Sequence, residues 1–269
     1  MKIFFNKKKL IKEIQNTKNL GFVPTMGAIH KGHLSLIKKS KKLSKKTIVS
    51  IFVNKPQFNN KNDFKKYPRS IKKDINLLKK SKIDYLYLPS VKEIYPQGEN
   101  KKIKISKWKK ILCGKNRRGH FEAVVDVVDR FIKIIKPDKI YLGEKDFQQF
   151  VIIREFIIKN KIRTKPIICS TIREKNGIAF SSRNFLLNKK ERYIASNVYK
   201  IISKNKNKII KSIFHIKKIK NILMSAGIKK IDYLEVLDVG KILNEKTKKK
   251  KLKIFLAYYI KKVRLIDNF

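Results

Sequence analysis

Acidic residues and cysteine are scarce in this chain. Of its 269 residues, 20 are Asp or Glu and 69 are Lys or Arg, which gives a formal net charge of +49. The two cysteines, Cys113 and Cys169, lie far apart and form no Cys-x-x-Cys pair. A disulfide framework and a cysteine zinc site are therefore not expected, and a reducing cytoplasm is the expected compartment. The 10 glycines and 7 prolines exclude collagen-like and proline-rich classes.

Long apolar runs are missing as well. No stretch reaches the roughly 18 residues that a membrane helix needs, so no membrane association is expected. The apolar part of residues 1–7 is too short for a signal peptide. Hydrophobic residues still make up 42% of the chain, near the globular norm, so we expect it to fold in spite of its charge.

The excess of positive charge has two interpretations. A net charge of this size is typical of a nucleic-acid binder. The lysines, however, are spread over the whole chain, Lys outnumbers Arg roughly six to one, and Ile and Asn are also abundant. These residues have A/T-rich codons, so drift of a whole genome gives the same composition, whereas nucleic-acid readers favour Arg. We favour drift and expect no specific nucleic-acid partner; DNA binding that vanishes at moderate salt would mark the charge as incidental.

Strand-like runs alternate with helical segments over about the first 170 residues. The β-branched run 47–53 is typical of a buried parallel strand, and 71–80 has apolar residues at helical spacing. The alternation predicts an α/β fold with a doubly wound parallel sheet. Further strands are predicted at 20–24, 84–88, 140–142 and 166–169, and helices at 32–43, 121–135 and 147–158.

The pattern changes after residue 173. A lysine-rich helical stretch over about 189–226 precedes strand-like runs at 231–236, 252–259 and 263–266. We therefore predict two domains, 1–173 with the parallel sheet and 174–269 with a smaller α+β fold. The tract 246–251 is predicted to be a solvated loop rather than a site.

Two of the four histidines lie three residues apart after the first predicted strand, in His30-Lys31-Gly32-His33. Ligands on doubly wound sheets bind at the carboxyl ends of strands, and a helix N-terminus favours anions. Imidazole N–H groups there suit the phosphate chain of a nucleotidyl transfer. The alternative is a strand–helix turn with incidental histidines, but the position at a strand end favours function. A metal site is not predicted, because no carboxylate or cysteine cluster accompanies the pair.

Polar residues follow the later strands too. Asn54 and Gln57 are amides suited to hydroxyls and carboxylates, although a polar turn explains them equally well. Lys145 is a compact cation suited to a phosphate, and Asp146 beside it is expected to cap the next helix. Gln149, on the first turn of that helix, is expected to face the cleft.

Two candidate binding segments with weaker sequence signals lie outside these strand ends. The run Ser181-Ser182-Arg183 offers two hydroxyls and a guanidinium, which suit a triphosphate, on a segment that can close over a site. His120, near Arg117, is either an anion contact or only part of a helix start.

Together these segments resemble the pantothenate synthetase (pantoate–β-alanine ligase) family of the class-I synthetase-like nucleotidylyltransferase superfamily. The similarity runs from about residue 22 to residue 268, and the set of motifs in this order is highly specific although no single member is. The motifs are 23–27 with His30-Lys31-Gly32-His33, Tyr67-Pro68-Arg69, Gly119-His120-Phe121, 143–149, Ser181-Ser182-Arg183-Asn184 and 264–268.

The resemblance implies a cytoplasmic homodimer with a Rossmann-like N-terminal domain, 1–173, that binds nucleotide and pantoate, and a C-terminal lid domain, 174–269. It implies ATP, Mg²⁺, pantoate and β-alanine as ligands, and pantothenate formation through pantoyl adenylate with release of AMP and pyrophosphate. The alternative is another nucleotidylyltransferase with a CDP- or NAD-type product. Gln57 and Gln149, in place of a further basic cluster, disfavour it.

The resemblance also implies site residues by position. His33, His30 and Lys145 would be the catalytic residues. His33 would be the acid-type residue at the phosphates, with His30 beside it, and Lys145 would bind the phosphates. Asn54, Gln57, Gln149, Arg117 and His120 would bind pantoate or β-alanine. The ATP site would comprise Pro24, Thr25, Met26, Gly27, Ala28, Ile29, His30, Lys31, Gly32, His33, Gly143, Glu144, Lys145, Asp146, Ile172, Phe180, Ser181, Ser182 and Arg183.

Three residues depart from the family pattern. Pro56 is displaced by one position, which is expected to alter the pose of Gln57. Arg118 stands for a proline and Ala123 for a glycine, which is expected to stiffen or crowd the pantoate wall.

Overall fold

The structure is a computed structural model that describes residues 1–245 and 249–269. These divide into two compact units, Met1–Thr171 and Ile172–Phe269. Residues 246–248, half of the tract predicted to be a solvated loop, lie outside the described residues. Within the described ranges, every helix is too short or too polar to cross a membrane.

Unit 1 is built on six parallel strands, so the doubly wound α/β prediction is confirmed. In chain order they are β1 (Lys2–Phe4), β2 (Leu20–Thr25), β3 (Lys46–Ile51), β4 (Tyr85–Tyr87), β5 (Lys139–Gly143) and β6 (Lys165–Cys169). In space the order is β1-β4-β3-β2-β5-β6. The predicted strand 47–53 ends two residues early, and the unpredicted β1 is only three residues long, too short to show a periodic pattern.

The helices of unit 1 cover the sheet. They are α1 (Lys7–Ile14), α2 (Lys31–Leu43), α3 (Lys61–Lys66), α4 (Ile71–Lys80), α5 (Val91–Ile94), α6 (Leu112–Asn116), α7 (His120–Ile135) and α8 (Phe147–Lys159). The four amphipathic helices predicted from sequence are present within one residue of their expected bounds. α7 ends where Lys136 adopts a left-handed conformation just before Pro137, which cannot continue the helix.

The strand order reverses beside β2. From β2 the chain moves outward through β3 to β4, then returns to place β5 on the other side of β2. The loops that leave β2 and β5 at their carboxyl ends therefore diverge. The gap between them is the crevice where doubly wound sheets bind ligands. The strands beneath it belong to the core, since Phe22, Val23 and Tyr141 are fully buried.

Unit 2 is a smaller α+β unit, as predicted. Its antiparallel sheet, in the order β7-β8-β9, consists of β7 (Lys230–Asp238), β8 (Leu252–Ile260) and β9 (Val263–Asn268). The helices are α9 (Lys189–Lys211), α10 (Ile213–Ser225) and α11 (Val239–Ile242). The single stretch expected over 189–226 is thus two helices. They separate at Ser212, whose backbone is extended and whose hydroxyl accepts from the Phe214 N–H to start α10.

Candidate active site

The loop between β2 and α2 turns sharply. Gly27 and Ala28 have φ values of 79° and 51°, so Ala28 occupies a left-handed conformation that a side chain disfavours. The entrance to the loop is fixed by Thr25. Its hydroxyl donates to the Ser50 carbonyl at 2.7 Å and accepts from the Gly27 N–H at 3.2 Å. The first turn of the loop is therefore tied to β3.

A buried carboxylate lies beneath the same loop. Asp74, on α4, is 3% exposed, and its two oxygens accept from the N–H groups of Ala28 at 2.9 Å and Ile29 at 2.8 Å. Burial raises the pKa of Asp74, and the two backbone hydrogen bonds oppose that shift. Sequence reasoning missed this residue, although a carboxylate four positions before the buried Leu78 stands out on an apolar helix face.

The paired histidines stack at the start of α2. His30 caps the helix, and its Nδ1 accepts from the Gly32 N–H at 3.1 Å, so its proton is on Nε2. The His30 and His33 rings lie 4.0 Å apart between centroids, at 27°. Among the described residues, the buried Nδ1 of His33 has no hydrogen-bond partner.

Both imidazoles are neutral at pH 7. Burial lowers the pKa of His30 to about 2, with further lowering by His33 and then Lys145. Burial likewise lowers the pKa of His33 to about 4, and Lys145 adds to the effect. Lys145 is therefore close enough for its charge to act on both rings. The structure brings together the three residues predicted to be catalytic.

Lys145 lies in a short 3₁₀ helix, Glu144–Asp146, directly after β5. Its Nζ is 3.2 Å from the Asp146 carboxylate, and its side chain is 17% exposed. Asp146 holds the capping position of α8 but makes no capping hydrogen bond with its side chain. Asp146 thus occupies the expected cap position without the side-chain hydrogen bond of a cap, and its carboxylate lies next to the Lys145 ammonium instead.

The loop after β3 holds its two amides differently. Asn54 is 1% exposed, and its Oδ1 accepts from the Tyr95 hydroxyl at 2.7 Å. Its Nδ2 donates to Gln57 Oε1 at 3.1 Å and to the Ala123 carbonyl at 3.2 Å. Gln57 Nε2 in turn lies 3.1 Å from the Met26 sulfur. Asn54 thus anchors Gln57, and Gln57 bridges the loops after β2 and β3.

The backbone of Gln57 is clamped from α7. Its carbonyl accepts from His120 Nδ1 at 2.8 Å and from Arg117 Nη2 at 3.1 Å. Because His120 Nδ1 donates, its Nε2 accepts from Arg117 Nη1 at 2.9 Å. His120 is the first residue of α7, and both of its ring nitrogens engage protein groups.

The residues that depart from the family pattern lie around this clamp. Pro56 occupies the first turn of the 3₁₀ helix Lys55–Gln57, where its missing N–H breaks no hydrogen bond. Arg118 and Ala123 each contribute a backbone carbonyl, to Asn59 at 2.7 Å and to Asn54 at 3.2 Å. The expected changes in pose and crowding stay predictions.

Two adjacent glutamines on α8 have separate uses. Gln148 is buried; its Oε1 accepts from the Cys113 N–H at 3.0 Å, and its Nε2 donates to the carbonyls of Trp108 and Ile111 at 2.6 and 2.7 Å. Gln149 is only partly buried and takes no part in these bonds. The structural glutamine is therefore Gln148, which leaves Gln149 as the candidate for a ligand contact.

The remaining predicted ATP residues belong to unit 2. The carbonyl of Ile172 accepts from the Phe180 N–H at 3.0 Å. The hydroxyl of Ser181 accepts from the Arg183 N–H at 3.3 Å and so begins a 3₁₀ helix, Ser182–Leu186. These residues form one local turn, and their role toward a nucleotide stays a prediction.

Ion pairs in unit 2 brace this turn. Arg173 forms a bidentate pair with Asp267, at 2.6 and 2.9 Å, and its guanidinium lies over the rings of Tyr199 and Phe269. On the other side, Glu174 accepts from the Asn184 amide at 3.0 Å and pairs with an arginine of α9. Sequence reasoning missed both pairs, because partners 94 and 18 residues apart in the chain leave no local signal.

The chemistry available in unit 1 is that of an anion receptor. Neutral imidazoles, one ammonium and a braced amide bind phosphates and carboxylates by hydrogen bonds and charge. Both cysteines are buried free thiols, and burial raises the pKa of Cys169 to about 11. Across residues 1–245 and 249–269, no three His, Cys, Asp or Glu side chains are grouped to hold a metal ion.

Comparison with known proteins adds independent findings. The family model described as Pantoate-beta-alanine ligase matches residues 3–269. Pantothenate synthetase of Fervidobacterium nodosum is 40% identical over 265 residues, which cover 97% of this chain and 95% of the relative. A crystal structure of pantoate-beta-alanine ligase from Francisella tularensis, complexed with beta-gamma ATP and beta-alanine, has a TM-score of 0.88 at 40% identity and covers 100% and 97% of the two chains. Pantothenate synthetase from Thermus thermophilus has a TM-score of 0.89 at 28% identity, with coverage of 100% and 99%.

Proposed function

This chain belongs to the pantoate-beta-alanine ligase family, and we propose that it is an ATP-dependent ligase that joins pantoate to β-alanine. The products are pantothenate, AMP and pyrophosphate. One structural observation carries the proposal: His30, His33 and Lys145 meet beside the crevice between β2 and β5. That crevice is where a doubly wound sheet receives a nucleotide.

In the first step the pantoate carboxylate attacks the α-phosphate of ATP, forming pantoyl adenylate and releasing pyrophosphate. Negative charge grows on the α-phosphate and on the leaving group. Lys145 supplies the positive charge, and the neutral imidazoles supply N–H donors at fixed positions. With a pKa of about 4, His33 acts mainly as a hydrogen-bond donor at pH 7.

Pantoate is held by the amides. Gln57 is the direct contact, because its side chain is braced by Asn54 and its carbonyl by Arg117 and His120. Gln149 offers the second amide from α8. Asn54, Arg117 and His120 act on the substrate chiefly by fixing Gln57, since each of them forms a hydrogen bond to Gln57.

In the second step the amine of β-alanine attacks the acyl carbon of the adenylate, and AMP leaves. No acyl-enzyme is required, because orientation and charge stabilisation suffice. Unit 2 serves as a lid that shields the adenylate from water, and its turn Phe180–Arg183 contacts the triphosphate while Ile172 contacts the adenine. The family model matches residues 3–269 and so includes residues of both units.

Mg²⁺ accompanies ATP in this proposal and neutralises phosphate charge when bound. The phosphates would hold it, which suits the residues here, because the cluster offers two imidazoles and an ammonium rather than a cage of oxygen ligands. We further propose a homodimer in the cytoplasm, in keeping with the family that the chain belongs to.

Product analysis tests the proposal. The purified chain is incubated with ATP, Mg²⁺, pantoate and β-alanine, and each single omission serves as a control. We expect pantothenate, AMP and pyrophosphate in equal amounts, with none formed when any substrate is left out. ADP and phosphate as products would contradict the proposal, and a CDP- or NAD-type product from other substrates would support the alternative transferase.

A further inference from the structure

We infer that Asp74 is a positioning residue that sets the shape of the nucleotide-binding loop between β2 and α2. The inference rests on the proposed binding of ATP by residues 24–33. Asp74 belongs to α4 and reaches the loop across 46 positions of sequence, with one carboxylate oxygen for each of two consecutive backbone N–H groups. No other part of its carboxylate is exposed to a ligand, since the residue is 3% exposed.

The backbone of the loop explains why a carboxylate is needed there. Positive φ values at Gly27 and Ala28 turn the N–H groups of Ala28 and Ile29 to the same side. Consecutive N–H groups arranged in this way form a concave anion site. In many proteins that site takes a phosphate, whereas here the protein's own carboxylate fills it. The phosphates of ATP are then bound by other groups, which in unit 1 are Lys145 and the two histidines.

The loop also fits closely onto this carboxylate. A Cβ atom at Gly27 would lie 3.0 Å from Asp74 Oδ2 and 3.1 Å from a methyl group of Ile51. Ala28 keeps its left-handed conformation although a side chain disfavours it. Charge-assisted hydrogen bonds are stronger than neutral ones, so Asp74 compensates for that strain. Without the charge, the loop loses the interaction that selects its present shape.

The two ends of the loop carry functional groups. Met26, just before the turn, touches the Gln57 amide, and His30, just after it, caps α2 and stacks on His33. A change at Ala28 and Ile29 therefore displaces both the nucleotide donors and the support of Gln57. In this way Asp74 acts on the chemistry through the loop and touches no reacting atom.

Asp138 provides a matched control. Its Oδ2 accepts from the Leu20 N–H at 2.7 Å, so it also holds a backbone N–H of the β2 region. Leu20, however, starts β2 at the amino end, opposite the crevice. Asp138→Asn thus weakens the same kind of bond on the same strand without touching the proposed site.

The test compares Asp74→Asn with Asp138→Asn. Binding of ATP is measured by calorimetry, alongside kcat and KM for each substrate and the thermal midpoint. A misplacement of catalytic groups by about 1 Å can lower activity by about 100-fold. We therefore expect Asp74→Asn to weaken ATP binding by roughly 10-fold or more. The KM for β-alanine should change less. Asp138→Asn should lower the thermal midpoint and leave ATP affinity within about twofold. Equal ATP affinity in both folded variants would overturn the inference.

A second variant separates positioning from general loss of stability. Replacing Ala28 by Gly in the Asp74→Asn protein removes the strain at φ 51°, so it should restore part of the ATP affinity. If Asp74→Asn fails to fold, Asp74→Glu, which keeps the charge on a longer side chain, should fold and still bind ATP more weakly than the parent chain. Normal ATP binding by Asp74→Glu, or no rescue by Ala28→Gly, would contradict the inference. Failure of the parent chain itself to bind ATP would instead overturn the proposed function.

Discussion

The two segments predicted to bind ATP are held in opposite ways. In unit 1, residues 26–33 rest on backbone hydrogen bonds to the buried Asp74, and the nearby imidazoles are uncharged. In unit 2, the turn Phe180–Arg183 is braced by arginine–carboxylate pairs such as Arg173 with Asp267. The first arrangement fixes the main chain with a single carboxylate, whereas the second fixes side chains through ion pairs.

The difference shows where a chain with few carboxylates places them. With 20 acidic residues against 69 basic ones, the chain has too few carboxylates to neutralise its positive charge. Asp74 and Asp138 instead hold backbone N–H groups of unit 1, and Glu174 and Asp267 hold arginines of unit 2. These four carboxylates therefore have structural uses, and the ammonium of Lys145 is the cation of the unit 1 cluster.

The largest effect is expected for His33→Ala. Loss of a fixed donor to a developing charge costs on the order of 10²–10³ in rate, so adenylation should fall by about that factor while the fold persists. The rate is measured as pantoate-dependent exchange of pyrophosphate into ATP. His215→Ala, which removes a histidine of α10 in unit 2, is the control and should exchange normally. Near-normal turnover of His33→Ala at saturating substrate would contradict the role of His33.

Lys145→Ala should act on ATP more than on β-alanine. The cation faces phosphate in our account, so kcat/KM for ATP should fall by roughly 10-fold or more while a supplied pantoyl adenylate still reacts with β-alanine. Lys159→Ala, at the exposed end of α8, serves as the control. An equal loss with ATP and with the supplied adenylate would rule out a phosphate role for Lys145.

The Arg173–Asp267 pair should affect stability rather than adenylation. The two side chains are 22% and 10% exposed, so Asp267→Asn should lower the free energy of unfolding by about 2 kcal/mol, less than for a fully buried pair. The exposed pair Lys251–Glu245, at 54% and 34%, is the contrast, and Glu245→Gln should cost less than about 1 kcal/mol. Denaturant unfolding measures both; equal costs would show that burial does not distinguish the pairs.

A further effect concerns the pH dependence of stability. The pKa values of His30 and His33 lie below the ordinary value of 6.5 in the folded chain, at about 2 and about 4. Between pH 6.5 and about 4 the unfolded chain therefore binds more protons, and stability should fall as the pH falls through this window. His33→Gln should flatten the fall, as seen in unfolding free energies at several pH values. Parallel curves for the two proteins would count against a neutral, buried His33.

Local pattern was enough to predict the sheet but not all of the site. The strands and amphipathic helices of unit 1 follow from residue spacing, and the meeting of His30, His33 and Lys145 follows from the shared edge of parallel strands. The role of Asp74 depends on a contact 46 residues away, for which spacing gives no signal. Asn54 is a second example. The sequence does not show that its side chain accepts a hydrogen bond from Tyr95 rather than binding a ligand, because that contact depends on the tertiary fold.

Exchange of labelled pyrophosphate into ATP tests the central claim most directly. If unit 1 aligns the pantoate carboxylate with the α-phosphate, a bound mixed anhydride forms before the amine arrives. We predict exchange that requires pantoate and Mg²⁺, proceeds without β-alanine and is lost in His33→Ala. Absence of exchange in the parent chain, together with ADP rather than AMP as the product, would mean acyl-phosphate chemistry and would contradict the assignment.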